Sequence, residues 1–177
     1  MILDTFFPSV EYKSTYEIDF ESYYEKGYRG VIFDIDNTLV PHNAGPDKRV
    51  IALMERLKQI GFSVCLLSNN KEPRVASFNE PLKVHYIFKA DKPSRKGYQR
   101  AMTVMGTGEA DTLFVGDQLF TDVWGAKRTG LFSILVKPIH PKEEIQIVLK
   151  RYLERPILWI YHRNMKKKAN RTKTDRD

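Results

Sequence analysis

The chain has 177 residues, 42% of them hydrophobic and 29% charged, with a formal net charge of +7. That length suits one domain with a core of its own, and the composition excludes a disordered or collagen-like chain. The single cysteine, Cys65, excludes an internal disulfide, no apolar run reaches the roughly 18–20 residues that span a bilayer, and the N-terminus does not read as a secretory signal, so the expected setting is cytoplasmic.

The elements follow in chain order. Residues 1–28 are rich in Tyr, Phe and Glu without a sustained period, and read as an irregular N-terminal arm with a short helix near 20–26. Residues 29–35 are a short apolar run, the pattern of a buried strand, closed by the polar turn Asp36-Asn37-Thr38. Val50, Leu53, Met54, Leu57 and Ile60 fall at helical spacing, with Gly61 as a stop. A second strand over 62–67 ends in Ser68-Asn69-Asn70, and Cys65 within it reads as a small buried hydrophobe. A short helix over 72–78 leads to a third strand at 84–88. A helix over 94–105, a strand over 111–115 closed by Gly116-Asp117, a helix over 119–129 and a fifth strand over 131–136 continue the alternation. Pro141 is expected to open a last helix whose buried stripe is Ile145, Val148, Leu149 and Tyr152. After Pro156 a final segment runs through Trp159 and Tyr161 into Lys166-Lys167-Lys168.

Strands alternating with helices predict an α/β fold: three layers, with a five-stranded parallel sheet covered on both faces. The expected organisation is an arm (1–28), a core (29–154) and a basic C-terminal tail (155–177). The tail holds eight Lys or Arg against two Asp, six of the seven net charges, so the body is nearly neutral. Such an end points to a local anionic contact.

In open parallel sheets, ligands bind beyond the carboxyl ends of the strands. The polar clusters at Asp34–Thr38, Ser68–Asn70, Lys92-Pro93 and Gly116-Asp117 with Asp122 should therefore share one rim. These residue types suit phosphoryl transfer. Asp34 can attack phosphorus as a nucleophile, and Asp36 can serve as the acid and base. Lys92 can offset charge on the transferring group. Thr38, Ser68 and Asn69 are the phosphate-binding candidates. Clustered carboxylates call for a cation, and Mg²⁺ on Asp34, Asp117, the backbone carbonyl of Asp36, and Asp122 through water or from a second layer supplies one.

These four segments, in this order, resemble the motifs of the haloacid dehalogenase (HAD) superfamily. The Asp-x-Asp-x-Thr form is similar to its phosphatase branch. The whole chain resembles the YqeG-type proteins of subclass IIIA, which are similar to mitochondrial phosphatidylglycerophosphate phosphatases. The more specific cues are Asp36-Asn37-Thr38-Leu39 and the pair Asn69-Asn70. The resemblance implies a Rossmann-like HAD fold and a phosphoric monoester hydrolase with the roles just given, Thr38 supporting its loop.

Many relatives insert a cap domain, yet here residues 39–47 leave only a loop and 70–84 only a short helix. No cap is expected, and an uncapped site suits a phosphate carried on something large. Ile157–Tyr161 beside Arg155, Arg163 and the lysines suits a peripheral contact with anionic lipid at an inner membrane face. The expected substrate is thus a phosphorylated lipid headgroup, phosphatidylglycerophosphate. A phosphoprotein or a nucleic-acid 3′-phosphate is the alternative, although the motif surroundings are not basic enough to favour nucleic acid. A non-catalytic membrane- or RNA-binding module is a further alternative.

Plainer readings stand beside these. Asp34 and Asp36 can be a turn after a strand, Asp122 a helix cap, Lys92 a solvated side chain with Lys96 its rival, and the tail an ordinary packed segment with a solvated end.

Overall fold

The computed structural model describes residues 2–140 and 145–174. Its centre is a parallel sheet of six strands: β1 (Val10–Tyr12), β2 (Gly30–Phe33), β3 (Ser63–Leu67), β4 (His85–Ile87), β5 (Thr112–Gly116) and β6 (Phe132–Val136). Their spatial order is β1-β6-β5-β2-β3-β4. From β2 the chain moves outward through β3 to β4, then crosses to the other side of β2 and moves outward through β5 and β6. Because parallel crossovers are right-handed, reversing direction moves the connecting helices to the opposite face. Accordingly α2 (Lys48–Ile60) and α3 (Glu72–Asn79) pack on one face with Val31, Phe33 and Val115, while α4 (Arg95–Met105) and α5 (Trp124–Arg128) pack on the other with Ile32, Cys65 and Phe114. The reversal places a crevice at the carboxyl end of β2.

β2 and β5 are buried along their whole length, which is why they read as unbroken apolar runs. Each fully buried Val, Leu, Ile or Phe contributes roughly 1.5–3 kcal/mol to folding. Gly61, at φ 110°, closes α2 in the left-handed conformation that a helix stop requires. Cys65 is fully buried, and burial pushes its thiol up to about 12, so it packs and does not react.

The structure corrects the sequence expectation at four places. The sheet has six strands, not five, because the arm contributes β1 at the edge beside β6. Three half-buried residues carry no readable periodicity, and their partner lies more than 120 residues away. The short helix expected near 20–26 is present as α1 (Phe20–Glu25), and Ile18, Phe20 and Tyr23 enter the core. The helix expected over 119–129 begins as a π-turn at Leu119–Val123 before α5. Finally, α6 (Ile145–Thr174) continues past Pro156. Proline removes one backbone hydrogen bond, a cost of about 3 kcal/mol in a helix interior, but packing on both sides of it holds the helix. Glu154 Oε1 accepts the Leu119 N–H at 2.8 Å, and the Tyr161 ring lies 5.4 Å from Phe7. Tyr152, expected to be buried, is 58% exposed. Pro141 and the side chains of Ile145, Val148 and Leu149 lie outside the described residues.

Among the described residues nothing the size of a cap interrupts the sheet-and-helix core; 39–47 is a loop and α3 has eight residues. Among the described residues no helix is long and apolar enough to cross a membrane.

Candidate active site

Asp34 is the first residue beyond β2, and its N–H still donates to Val115 O at 3.0 Å, so the ladder itself fixes its position. Asn37, at φ 63°, then turns the chain left-handed, a conformation asparagine tolerates better than most residues. This turn folds Thr38 back beneath Asp34. The Thr38 hydroxyl lies 3.3 Å from Asp34 Oδ2 and 3.1 Å from Asp117 Oδ1, linking the ends of β2 and β5.

The loops after β3 and β4 are zipped to each other. Ser68 N–H donates to Ile87 O, Ala90 N–H to Ser68 O and Lys89 N–H to Asn70 O. The Asn69 side chain brackets the backbone of Lys92, accepting its N–H at 2.7 Å and donating to its carbonyl at 3.2 Å. Ser68 Oγ accepts the Asn70 N–H at 3.1 Å. Lys92 is thereby aimed inward. Its ammonium lies 2.5 Å from Asp34 Oδ1 and 2.8 Å from Asp122 Oδ1, and its side chain is only 4% exposed. Lys96, the rival lysine, is exposed on α4.

Asp122 stands in the π-turn, fully buried, and its Oδ2 accepts the N–H groups of Asp117 and Gln118. Gly116 makes this possible, because a Cβ there would sit 2.6 Å from the Asp122 carboxyl carbon. From α4, Tyr98 donates its hydroxyl proton to Thr121 O at 2.7 Å, supporting the same turn.

Asp34, Asp117 and Asp122 offer carboxylate oxygens within 4.8 Å of one another. With every group ionised, three buried carboxylates and one buried ammonium carry a formal net charge of −2, which a hard divalent cation would neutralise. The donor set, all oxygen and already oriented by Thr38 and backbone N–H groups, fits such an ion. Burial pushes the Asp34 carboxyl up to about 7 despite the opposing pull of Lys92, with Asp122 and Asp36 adding to the rise. Burial works against the Lys92 ammonium, but Asp122 and Asp34 outweigh it and keep Lys92 protonated.

Asp36 is not one of the converging carboxylates. Its side chain turns to the rim, where Oδ2 accepts from Asn70 Nδ2 at 2.6 Å and Oδ1 accepts from Asn43 N–H at 2.8 Å and from Arg74 at 3.1 Å. His42 lies 3.9 Å away. Arg74 also donates to Ala44 O at 2.7 Å, tying α3 to the loop that follows Asp36. The structure therefore brings Asp34, Thr38, Lys92, Asp117 and Asp122 together, places Ser68 and Asn69 as the scaffold of the lysine loop, and sets Asp36 apart. Sequence reasoning missed Arg74 and Tyr98. Arg74 has no local signature, since one arginine on a short helix resembles any other. Tyr98 reads as a core residue of α4.

Comparison with known proteins bears on this site. The HAD-hydrolase-like family model matches residues 90–144. The probable phosphatase YqeG of Bacillus subtilis (strain 168) is 39% identical over 161 residues, covering 89% of this chain and 92% of that protein. Phosphatidylglycerophosphate phosphatase 1, chloroplastic/mitochondrial, of Arabidopsis thaliana is 25% identical over 175 residues; the match takes in 88% of this chain but only 50% of that longer protein. Among solved structures, the cobalt-bound deoxy-D-mannose-octulosonate 8-phosphate phosphatase of Haemophilus influenzae superposes with a TM-score of 0.51 at 16% identity, over 63% of this chain and 69% of that one. At that identity the likeness is one of fold.

Proposed function

This chain belongs to the HAD-like phosphatases, in the family of the Bacillus subtilis YqeG relative, and from that premise we propose that it hydrolyses phosphomonoesters through an aspartyl phosphate on Asp34, with Mg²⁺, and that its substrate is phosphatidylglycerophosphate at a membrane surface. The observation that carries the chemistry is the buried cluster of Asp34, Asp117, Asp122 and Lys92, with its formal net charge of −2 at the reversal point of the sheet.

Asp34, Asp117 and Asp122 would hold the cation, which would neutralise their charge and let an anionic phosphate approach a carboxylate. Asp34 attacks phosphorus, and the bond from phosphorus to the ester oxygen breaks in line with the attack. Asp36 gives a proton to the departing oxygen. It then takes a proton from the water that attacks the aspartyl phosphate, releasing inorganic phosphate and restoring the Asp34 carboxylate. To do this Asp36 must come away from Arg74 and Asn70, so the observed position is its resting one. Lys92, kept protonated by its two carboxylates, faces the charge on the transferring group.

Three features support the lipid. Plant and algal relatives are named for phosphatidylglycerophosphate. The site carries no cap, so a headgroup can reach it while the rest of the molecule stays outside. The outer face of α6 bears Tyr152, Arg155, Trp159, Arg163 and Lys166 at helical spacing, with Trp159 62% exposed. Arginines stack on both rings, at 4.7 Å for Arg155 on Tyr152 and 5.4 Å for Arg163 on Trp159. Aromatic rings interleaved with cations suit the headgroup layer of an anionic bilayer.

The test is phosphate release from phosphatidylglycerophosphate in mixed micelles, for wild type and Asp34→Asn, in Mg²⁺ or EDTA. Release that needs both Mg²⁺ and Asp34 supports the whole reading. Turnover of an aryl phosphate without release from the lipid keeps the mechanism and rejects the substrate.

A further inference from the structure

Beside the catalytic cluster runs a groove of about 430 Å³, bounded by the carboxyl ends of β1 and β6, by α6, and by Asp117 on the β5 side. The cluster and the groove thus share Asp117. The floor of the groove is apolar, formed by Leu135, Val136 and the half-buried Leu158. Its rim carries three exposed cations, Lys13, Lys137 and Arg155, each from a different element or its flank. Besides Asp117, two carboxylates line it, and both are engaged inside the protein: Glu11 with His162 at 2.8 Å, and Glu154 with the Leu119 N–H at 2.8 Å. The Glu154 contact fixes α6 two residues beyond Asp117, so the groove keeps its place relative to the cluster.

We infer that this groove is a binding subsite for the leaving group of the substrate, and that it takes an anionic amphiphile: a glycerol phosphodiester on the rim cations and the first methylenes of its acyl chains on the apolar floor. The inference rests on the lipid reading above. Its size lies within the roughly 300–1,000 Å³ of ordinary ligand sites, and an apolar wall with a few fixed charges is the usual build of such sites. The cations of the groove mouth continue along α6 into its aromatic and basic outer face, so a lipid could enter from the bilayer without leaving it entirely.

The experiment is titration calorimetry of the full chain in Mg²⁺ with dihexanoyl phosphatidylglycerol below its micelle-forming concentration. Wild type should bind it, and the exposed double variant Lys13→Glu/Lys137→Glu should raise Kd at least tenfold. Glycerophosphoglycerol, with the same charge and no chains, should bind at least tenfold more weakly than the dihexanoyl lipid. No binding by wild type, an unchanged Kd in the variant, or equal binding of the chain-free compound overturns the subsite. Turnover of phosphatidylglycerophosphate is measured alongside. Groove-dependent binding without turnover keeps the subsite and removes the lipid substrate; turnover with groove-independent binding does the reverse.

Discussion

Asp34 and Asp36 are separated by one residue, yet they occupy different environments. Asp34 is buried at the end of β2, beside one lysine and two further carboxylates, and its carboxyl is pushed up to about 7. Asp36 sits at the rim with an arginine, an asparagine side chain and a backbone N–H on its two oxygens. The turn at Asn37 and the loops from the other half of the sheet create the difference. On the proposed mechanism the same side chain would serve nucleophilic attack in one place and proton transfer in the other, with the surroundings making the difference.

The largest expected effect breaks the Asp34 side. Asp34→Asn should lower turnover by about 10³-fold or more, because the proposed covalent intermediate forms on Asp34. It should also stabilise the metal-free protein. A carboxyl whose folded pKa lies above its unfolded value stabilises below the unfolded value, and that contribution is lost as pH rises through the folded one. In EDTA, wild type should therefore lose thermal stability between about pH 4 and pH 7, and Asp34→Asn should lose less. Melting curves at the two pH values check this, and an equal pH dependence in both proteins would count against a strained Asp34.

Asp36→Asn tests the other side. It should cost roughly 10²–10⁴ in turnover, more for an alkyl ester than for an aryl phosphate whose leaving oxygen needs less help. Steady-state kinetics on the two ester types separate the roles, and a loss equal on both would argue against proton donation.

Gly116→Ala reaches the cluster from beneath. Its Cβ would meet Asp122 at 2.6 Å, so the π-turn must shift, at a cost of about 1–3 kcal/mol. Tm should fall by several degrees and turnover should fall with it. A variant with wild-type stability and activity would show that Asp122 has room to spare.

The smallest effect concerns Arg74. Arg74→Ala should change turnover several-fold in the wild-type background and have little further effect in Asp36→Asn, because the contact it removes is then already lost. A double-mutant cycle measures that coupling, and additive losses would mean that Arg74 acts elsewhere, for instance on the loop at Ala44.

What was legible from the sequence is what short-range patterns carry. Buried parallel strands are continuous apolar runs, helices repeat at 3.6 residues, and polar residues at strand ends mark the rim, so β2 to β6 and the cluster residues could be named in advance. Asn37 and Gly116 could be seen in the chain, but the reason for each lies in what folds back upon it.

Tertiary structure alone decided the rest. The sheet order turns the end of β2 into a crevice, and order depends on which strands meet, not on any local run. β1 is three residues long and is stabilised by a partner at the far end of the chain. Pro156 forbids a hydrogen bond locally, but contacts from Leu119 and Phe7 to the same helix offset that loss. The Asp36–Arg74 contact links a β-strand turn to a helix 38 residues on, and the groove beside Asp117 draws its walls from both ends of the polypeptide. Local propensity dictates which segments form, whereas burial and charge pairing between distant segments dictate which of their side chains face each other.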